Sequence, residues 1–146
     1  MASSLTVEIV TNERIVLSES DVEMVSAPGS EGMMGILPNH APLVTTLSAG
    51  ELRIKKAGTE QSMVVFGGFM EVLPNKVIVL ADVAEKVEEI DIKRAEEARK
   101  RAEEAIARGG GDSVDLAEAE ARLQRAQVRL RISDRRRAGR RPSDLP

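Results

Sequence analysis

Apolar and polar residues alternate over several short stretches of the first half of the chain. In Leu5-Thr6-Val7-Glu8-Ile9 the residues Leu5, Val7 and Ile9 fall on one face of an extended strand. In Asp21-Val22-Glu23-Met24 the acids point one way and the apolar side chains the other, and Glu51-Leu52-Arg53-Ile54-Lys55 repeats the pattern with its three charges outward. Runs rich in Val, Ile and Leu follow at 14–17, 43–47, 62–66, 69–73 and 76–80, and Pro74-Asn75 joins the last two as a tight turn. Many short strands separated by turns predict a sandwich or barrel of antiparallel sheet.

From Ile90 the period becomes helical. Ala95, Ala98, Ala102 and Ala105 recur at spacings of three and four beside Ile92 and Ile106, while Glu96, Glu97, Lys100, Glu103 and Glu104 take the other faces. Asp91 is placed to cap this helix, and Arg108-Gly109-Gly110-Gly111 ends it. A second helix opens at Asp112 or Ser113 and carries Leu116, Ala119, Leu123, Ala126 and Leu130 at a/d spacing. Two helices joined by a short Gly-rich turn make an antiparallel hairpin. Its seam is mostly alanine on one side, which removes little apolar area from water at roughly 25 cal/mol per Å², so the hairpin should be weakly held.

Composition sets the boundary between the two patterns. Residues 1–84 hold ten acids, five bases, seven of the 11 glycines and four of the 6 prolines, whereas 85–146 hold 14 acids and 16 bases. The expected organisation is a sandwich over 1–84, a helical hairpin over 85–137 and a basic, disordered tail over 138–146.

Several chemistries are excluded. With no Cys there is no disulfide, thiolate nucleophile or Cys-ligated metal, and a single His cannot make a two-His metal site. No run approaches the roughly 18 apolar residues of a membrane span, and the first residues carry no basic and apolar leader pattern, so the chain reads as soluble and cytoplasmic without membrane insertion. Neither Gly29-Ser30-Glu31-Gly32-Met33-Met34-Gly35 nor Gly109-Gly110-Gly111 ends in the Gly-Lys-Ser/Thr of a phosphate loop, and both are read as loops or a helix stop. His40, in Leu37-Pro38-Asn39-His40-Ala41-Pro42, has no nucleophile or second His nearby and is read as structural or interfacial. The basic tail raises nucleic acid as a partner, but no Tyr or Trp is present to stack a base and the sequence pI is about 5.4. No catalytic constellation emerges. Arg94 and Arg101 on the first helix, with Arg122, Arg129 and Arg136 on the second, flank the seam at g positions. They make solvated rim pairs, or some converge across the hairpin on an anion such as a nucleotide phosphate, using the forked guanidinium.

Three stretches carry a resemblance to a known family: Gly32-Met33-Met34-Gly35-Ile36-Leu37-Pro38-Asn39-His40-Ala41-Pro42-Leu43, Leu47-Ser48-Ala49-Gly50-Glu51-Leu52, and Gly67-Gly68-Phe69-Met70-Glu71-Val72 running into Asn75-Lys76-Val77-Ile78-Val79-Leu80-Ala81-Asp82. Through nearly its whole length the chain resembles the epsilon subunit of bacterial and chloroplast F-type ATP synthases. The resemblance implies a ten-stranded β-sandwich followed by an antiparallel two-helix hairpin, in a non-catalytic rotor subunit. In that family the sandwich binds the gamma subunit and rests on the c-ring, coupling proton-driven rotation to the catalytic head, and the positions of Glu31 and His40 match regions used at the bottom of the stalk. The hairpin can extend along gamma and insert its second helix, here with Arg122, Arg125 and Arg129, into the alpha/beta head to inhibit hydrolysis. Many bacterial members carry a nucleotide motif that is complete here as Ile90-Asp91-Ile92-Lys93-Arg94-Ala95.

By the same resemblance, Arg94 and Arg101 lie near phosphate, Asp91 fixes the hairpin or the adenine end, and Arg125 or Arg129 contributes from the second helix. ATP is then a regulatory ligand, and no cofactor is required. The implied location is peripheral, on the cytoplasmic face of a bacterial cell membrane or the stromal face of a thylakoid. A stand-alone ATP-binding sensor, and a purely structural coupling subunit without inhibition, are the alternatives to be separated.

Overall fold

The computed structural model describes residues 3–109 and 113–139. The chain divides between Lys86 and Val87 into two compact units.

The first unit contains eight strands: β1 (Leu5–Val10), β2 (Ile15–Val22), β3 (Met24–Gly29), β4 (Gly32–Ile36), β5 (Leu43–Thr46), β6 (Gly50–Lys56), β7 (Thr59–Leu73) and β8 (Lys76–Lys86). They hydrogen-bond in the order β2-β1-β8-β7-β6-β3-β4, with β5 also paired to β7. The sheet folds over on itself. Glu19 of β2 and Lys56 of β6 are far apart in strand order, yet their charged ends meet at 3.0 Å. Between the two layers lies one core. Leu5, Val7 and Ile9 of β1 are fully buried there with Val25 of β3, Leu52 of β6, Met63, Met70 and Val72 of β7, and Val77 and Val79 of β8.

The period-two alternation of β1 survives in full, with Thr6, Glu8 and Val10 half-buried on the opposite face. The strand count is eight rather than ten because the runs at 62–66 and 69–73 belong to one strand of 15 residues, and β8 likewise runs on to Lys86. Gly67 and Gly68, at φ 67° and 110°, mark the change of partner along β7: up to Val65 it pairs with β6, and from Phe69 with β5. A Cβ on Gly68 would stand 2.0 Å from the Leu80 carbonyl oxygen, so only glycine fits this close approach. The sheet is also not wholly antiparallel. β1 lies parallel to β8, from Thr6 opposite Lys76 to Val10 opposite Leu80, because β2–β7 intervene before the chain returns to β1.

Three local expectations change. Asp21-Val22-Glu23-Met24 is a corner and not one strand: Asp21 has φ 55°, Val22 pairs with β1, and Met24 pairs with β6. The alternation is therefore broken, and Met24 is exposed while Val22 is buried. Glu51 does not point outward. It is 8% exposed and accepts a hydrogen bond from the hydroxyl of Ser62 on the neighbouring β7. The glycine-rich stretch at 29–35 is not a loop but a β-hairpin, with Ser30 and Glu31 at the tip between Gly29 of β3 and Gly32 of β4.

The second unit opens with a 3₁₀ turn, Val87–Glu89, then α1 (Ile92–Arg108) and α2 (Ser113–Gly139). Asp91 caps α1, its carboxylate accepting from the Arg94 amide at 3.1 Å, and Gly109 closes it in the left-handed region with its amide donating to Ile106 O at 3.2 Å. The seam buries Ala95 and Ala102 of α1 and Ala119, Ala126 and Leu130 of α2. Leu116 is an exception at 43% exposed. Because α2 continues to Gly139, Ala138 and Gly139 belong to the helix, and the remaining tail, 140–146, lies outside the described residues, as does Asp112.

Candidate functional site

The 3.6-residue period places Arg94, Ala98, Arg101, Ala102 and Ala105 along one stripe of α1, at intervals of three, four or one. On α2, Ala119, Arg122, Arg125 and Arg129 form a matching stripe at spacings of three and four. The two stripes face each other across a cleft of about 360 Å³. Alanines make its floor, because a methyl side chain lets the helices approach without filling the space between the longer side chains on either side. Five arginines line it, two from α1 and three from α2, and no carboxylate appears among the described residues that line the cleft.

From Arg94 to Ala105 the stripe spans about 16 Å at 1.5 Å per residue, long enough for a nucleoside triphosphate laid along it. Like charges at three- and four-residue spacing on one helix oppose its stability by about 0.2–0.5 kcal/mol per pair. An anion that bridges them relieves this repulsion, and guanidinium forks bind phosphoryl oxygens two at a time. The described lining is five arginines and four alanines, a cationic surface able to receive an anion. Among the described residues no cluster of His, Cys, Asp or Glu could hold a metal ion.

The motif residues divide by task. Arg94 lines the cleft with Arg101, Arg122, Arg125 and Arg129. Ile90, Asp91 and Ala95 do not. Ile90 donates its amide to Val87 O at 3.2 Å, Asp91 accepts the Arg94 amide, and Ala95 is buried in the seam with its amide on Asp91 O at 3.0 Å. These three set the start of α1 and so aim Arg94. Arg136 is half-buried and outside the cleft lining. Arg122 is also held by Glu118 one turn earlier on α2, at 2.8 Å between Nη2 and Oε1, a pair that sequence reading did not single out although its four-residue spacing was visible.

Glu31 and His40 are not brought together. The Glu31 turn is tied to the end of β5, where the Ser30 amide donates to Thr46 O at 3.1 Å and the Thr46 hydroxyl to Ser30 Oγ at 2.7 Å. His40 precedes the start of β5. Its amide donates to Leu37 O, its Nδ1 lies 2.7 Å from Ala41 O, and neighbouring Asn39 donates to Pro74 O at 2.6 Å. Three residue steps along β5 separate the two ends by about 10 Å.

A second surface was not anticipated as a unit. Strand register sets Ile15 opposite Val10, Val10 opposite Leu80, and Leu80 opposite Phe69. Val44 of β5 shares the face of Phe69, since its partner Glu71 lies two residues further along β7. Ile15, Val44, Phe69 and Leu80 are between 54% and 68% exposed, so an apolar row crosses five strands on the face away from the core. Only pairing across strands reveals it; along the chain each residue is one apolar position among many.

Comparison with known proteins is consistent with both units. The family model for the ATP synthase delta/epsilon chain β-sandwich domain matches residues 4–87, and that for the delta/epsilon chain long α-helix domain matches residues 88–134. An ATP synthase epsilon chain of Dehalococcoides mccartyi is 55% identical over 135 residues, 92% of this chain and 96% of the relative. One from Herpetosiphon aurantiacus is 55% identical over 130 residues, covering 89% and 94%. Among solved structures, a chain in the Euglena gracilis mitochondrial ATP synthase superposes with a TM-score of 0.75 at 23% identity, over 87% of this chain and 79% of that one, and shares the fold. With a sandwich, a helical hairpin and relatives that match it nearly end to end, the chain belongs to the ATP synthase delta/epsilon family as an epsilon-type chain.

Proposed function

We propose that this epsilon-type chain, which is not itself an enzyme, works in the central stalk of a proton-translocating F-type ATP synthase. Its sandwich grips the gamma subunit and rests on the c-ring through the regions of Glu31 and His40, placing the chain peripherally on a membrane-bound complex. Its hairpin senses ATP and, in an extended state, carries Arg122, Arg125 and Arg129 to the alpha/beta head to restrain hydrolysis. Among the described residues no helix is long and apolar enough to cross a membrane.

The observation that carries the regulatory part is the cleft. Its cationic lining comes from both helices, so an anion seated there favours the state in which α1 and α2 lie side by side, and a ligand that prefers one conformer raises its population. On the α1 side only Ala95 and Ala102 are buried, which limits the apolar area that helix contributes to holding that state. The apolar row of Ile15, Val10, Leu80, Phe69 and Val44 supports a protein partner on the sheet, and gamma is the partner that the family relationship offers. A pull-down with purified gamma tests this reading. Retention of the full chain is expected; a failure to associate removes the rotor role and favours the stand-alone sensor.

A further inference from the structure

Arg122, one of the five cleft arginines, has a carboxylate of its own helix against its guanidinium edge. Glu118 lies one turn toward the N-terminus of α2, with its Oε1 2.8 Å from Arg122 Nη2. Glu before Arg at a four-residue spacing is the favourable order on a helix, so the pair also suits α2 itself. Both side chains are more than half exposed, at 63% and 57%, which keeps the contact exchangeable with water and with other anions. Arg122 lines the cleft; Glu118 does not.

We infer that Glu118 is an internal competitor for the polyphosphate site: its carboxylate occupies the Arg122 guanidinium, and a bound phosphoryl group must displace it. This rests on reading the cleft as an anion site and adds what sets its affinity. Glu118 is a positioning residue that acts through Arg122 and weakens the site. A cleft in which one of five arginines is already held by a carboxylate of its own helix retains ligand only when ligand is abundant, which is the behaviour needed of a sensor of a plentiful nucleotide.

The test is calorimetric titration of the full chain at low ionic strength with ATP and with inorganic tripolyphosphate, comparing wild type, Glu118→Gln, Glu120→Gln, Arg122→Ala and the Glu118→Gln/Arg122→Ala double variant. Glu120 stands about 200° around the helix from Glu118, so its replacement removes the same charge without releasing Arg122. Glu118→Gln should tighten binding by about two- to fivefold, the range of exposed ion pairs. Glu120→Gln should change it less, and the gain should vanish in the Arg122→Ala background. Equal or weaker binding by Glu118→Gln, or a gain that persists without Arg122, overturns the inference while leaving the cleft an anion site. If wild type and Glu118→Gln bind neither probe, the anion reading falls and this inference with it. Helicity and thermal unfolding of each variant without ligand exclude loss of the fold as the cause.

Discussion

Arg94 does two things at once through different atoms. Its amide donates to Asp91 and fixes the first turn of α1, while the residue also lines the cleft between α1 and α2. Replacing the side chain with a methyl group leaves the first role intact and removes the second. Arg94→Ala should therefore weaken ATP binding, measured by calorimetry, by more than about 1 kcal/mol, the scale of a charge-assisted bond. Helicity should be unchanged, and equal affinity would remove Arg94 from the site. The motif Ile90-Asp91-Ile92-Lys93-Arg94-Ala95 was visible in the sequence, as was the capping role of Asp91. The division of labour within it was not, because spacing alone does not say which atoms of a residue are engaged. Glu51 makes the same point: its alternation with Leu52 and Arg53 reads as outward, and burial beside Ser62 depends on a strand 11 residues further along.

Elements with strong local signals were legible, and elements defined by distant partners were not. Both helices, the Asp91 cap, the Gly109 stop and the alternation of β1 follow from residues within a turn or two of one another. By contrast, the union of two apolar runs into β7 depends on Gly67 and Gly68 bending without ending the strand. The parallel alignment of β1 with β8 joins segments about 70 residues apart, which no local period records. The apolar row is of the second kind, since it exists only once β2, β1, β8, β7 and β5 are side by side. Its worth is testable on this scale. Leu80→Asp or Phe69→Asp should weaken gamma binding by about 2 kcal/mol or more, as for central interface residues. Because both side chains are more than half exposed, the unfolding temperature of the chain should move little; gamma binding at wild-type strength would place the interface elsewhere.

For the molecule as a whole, the two units differ in what holds them. The first has a core in which every member comes from residues 5–84, so it contains its own means of folding. A fragment of residues 1–86 should unfold cooperatively by heat or denaturant, and a molten fragment would contradict the division of the chain. The second is a pair of helices whose seam is alanine on the α1 side, beside a cleft lined by five arginines, and its control by an anion is the proposal to be tested. A firm foot and a hairpin that changes state with nucleotide is the central claim. Its most direct measurement is the rate of ATP hydrolysis by the reconstituted complex, with the full chain and with a chain truncated before Glu88, at low and at millimolar ATP. Truncation should raise the rate at low ATP and make progressively less difference as ATP rises to the millimolar range; identical rates with and without the hairpin at both concentrations would contradict the account.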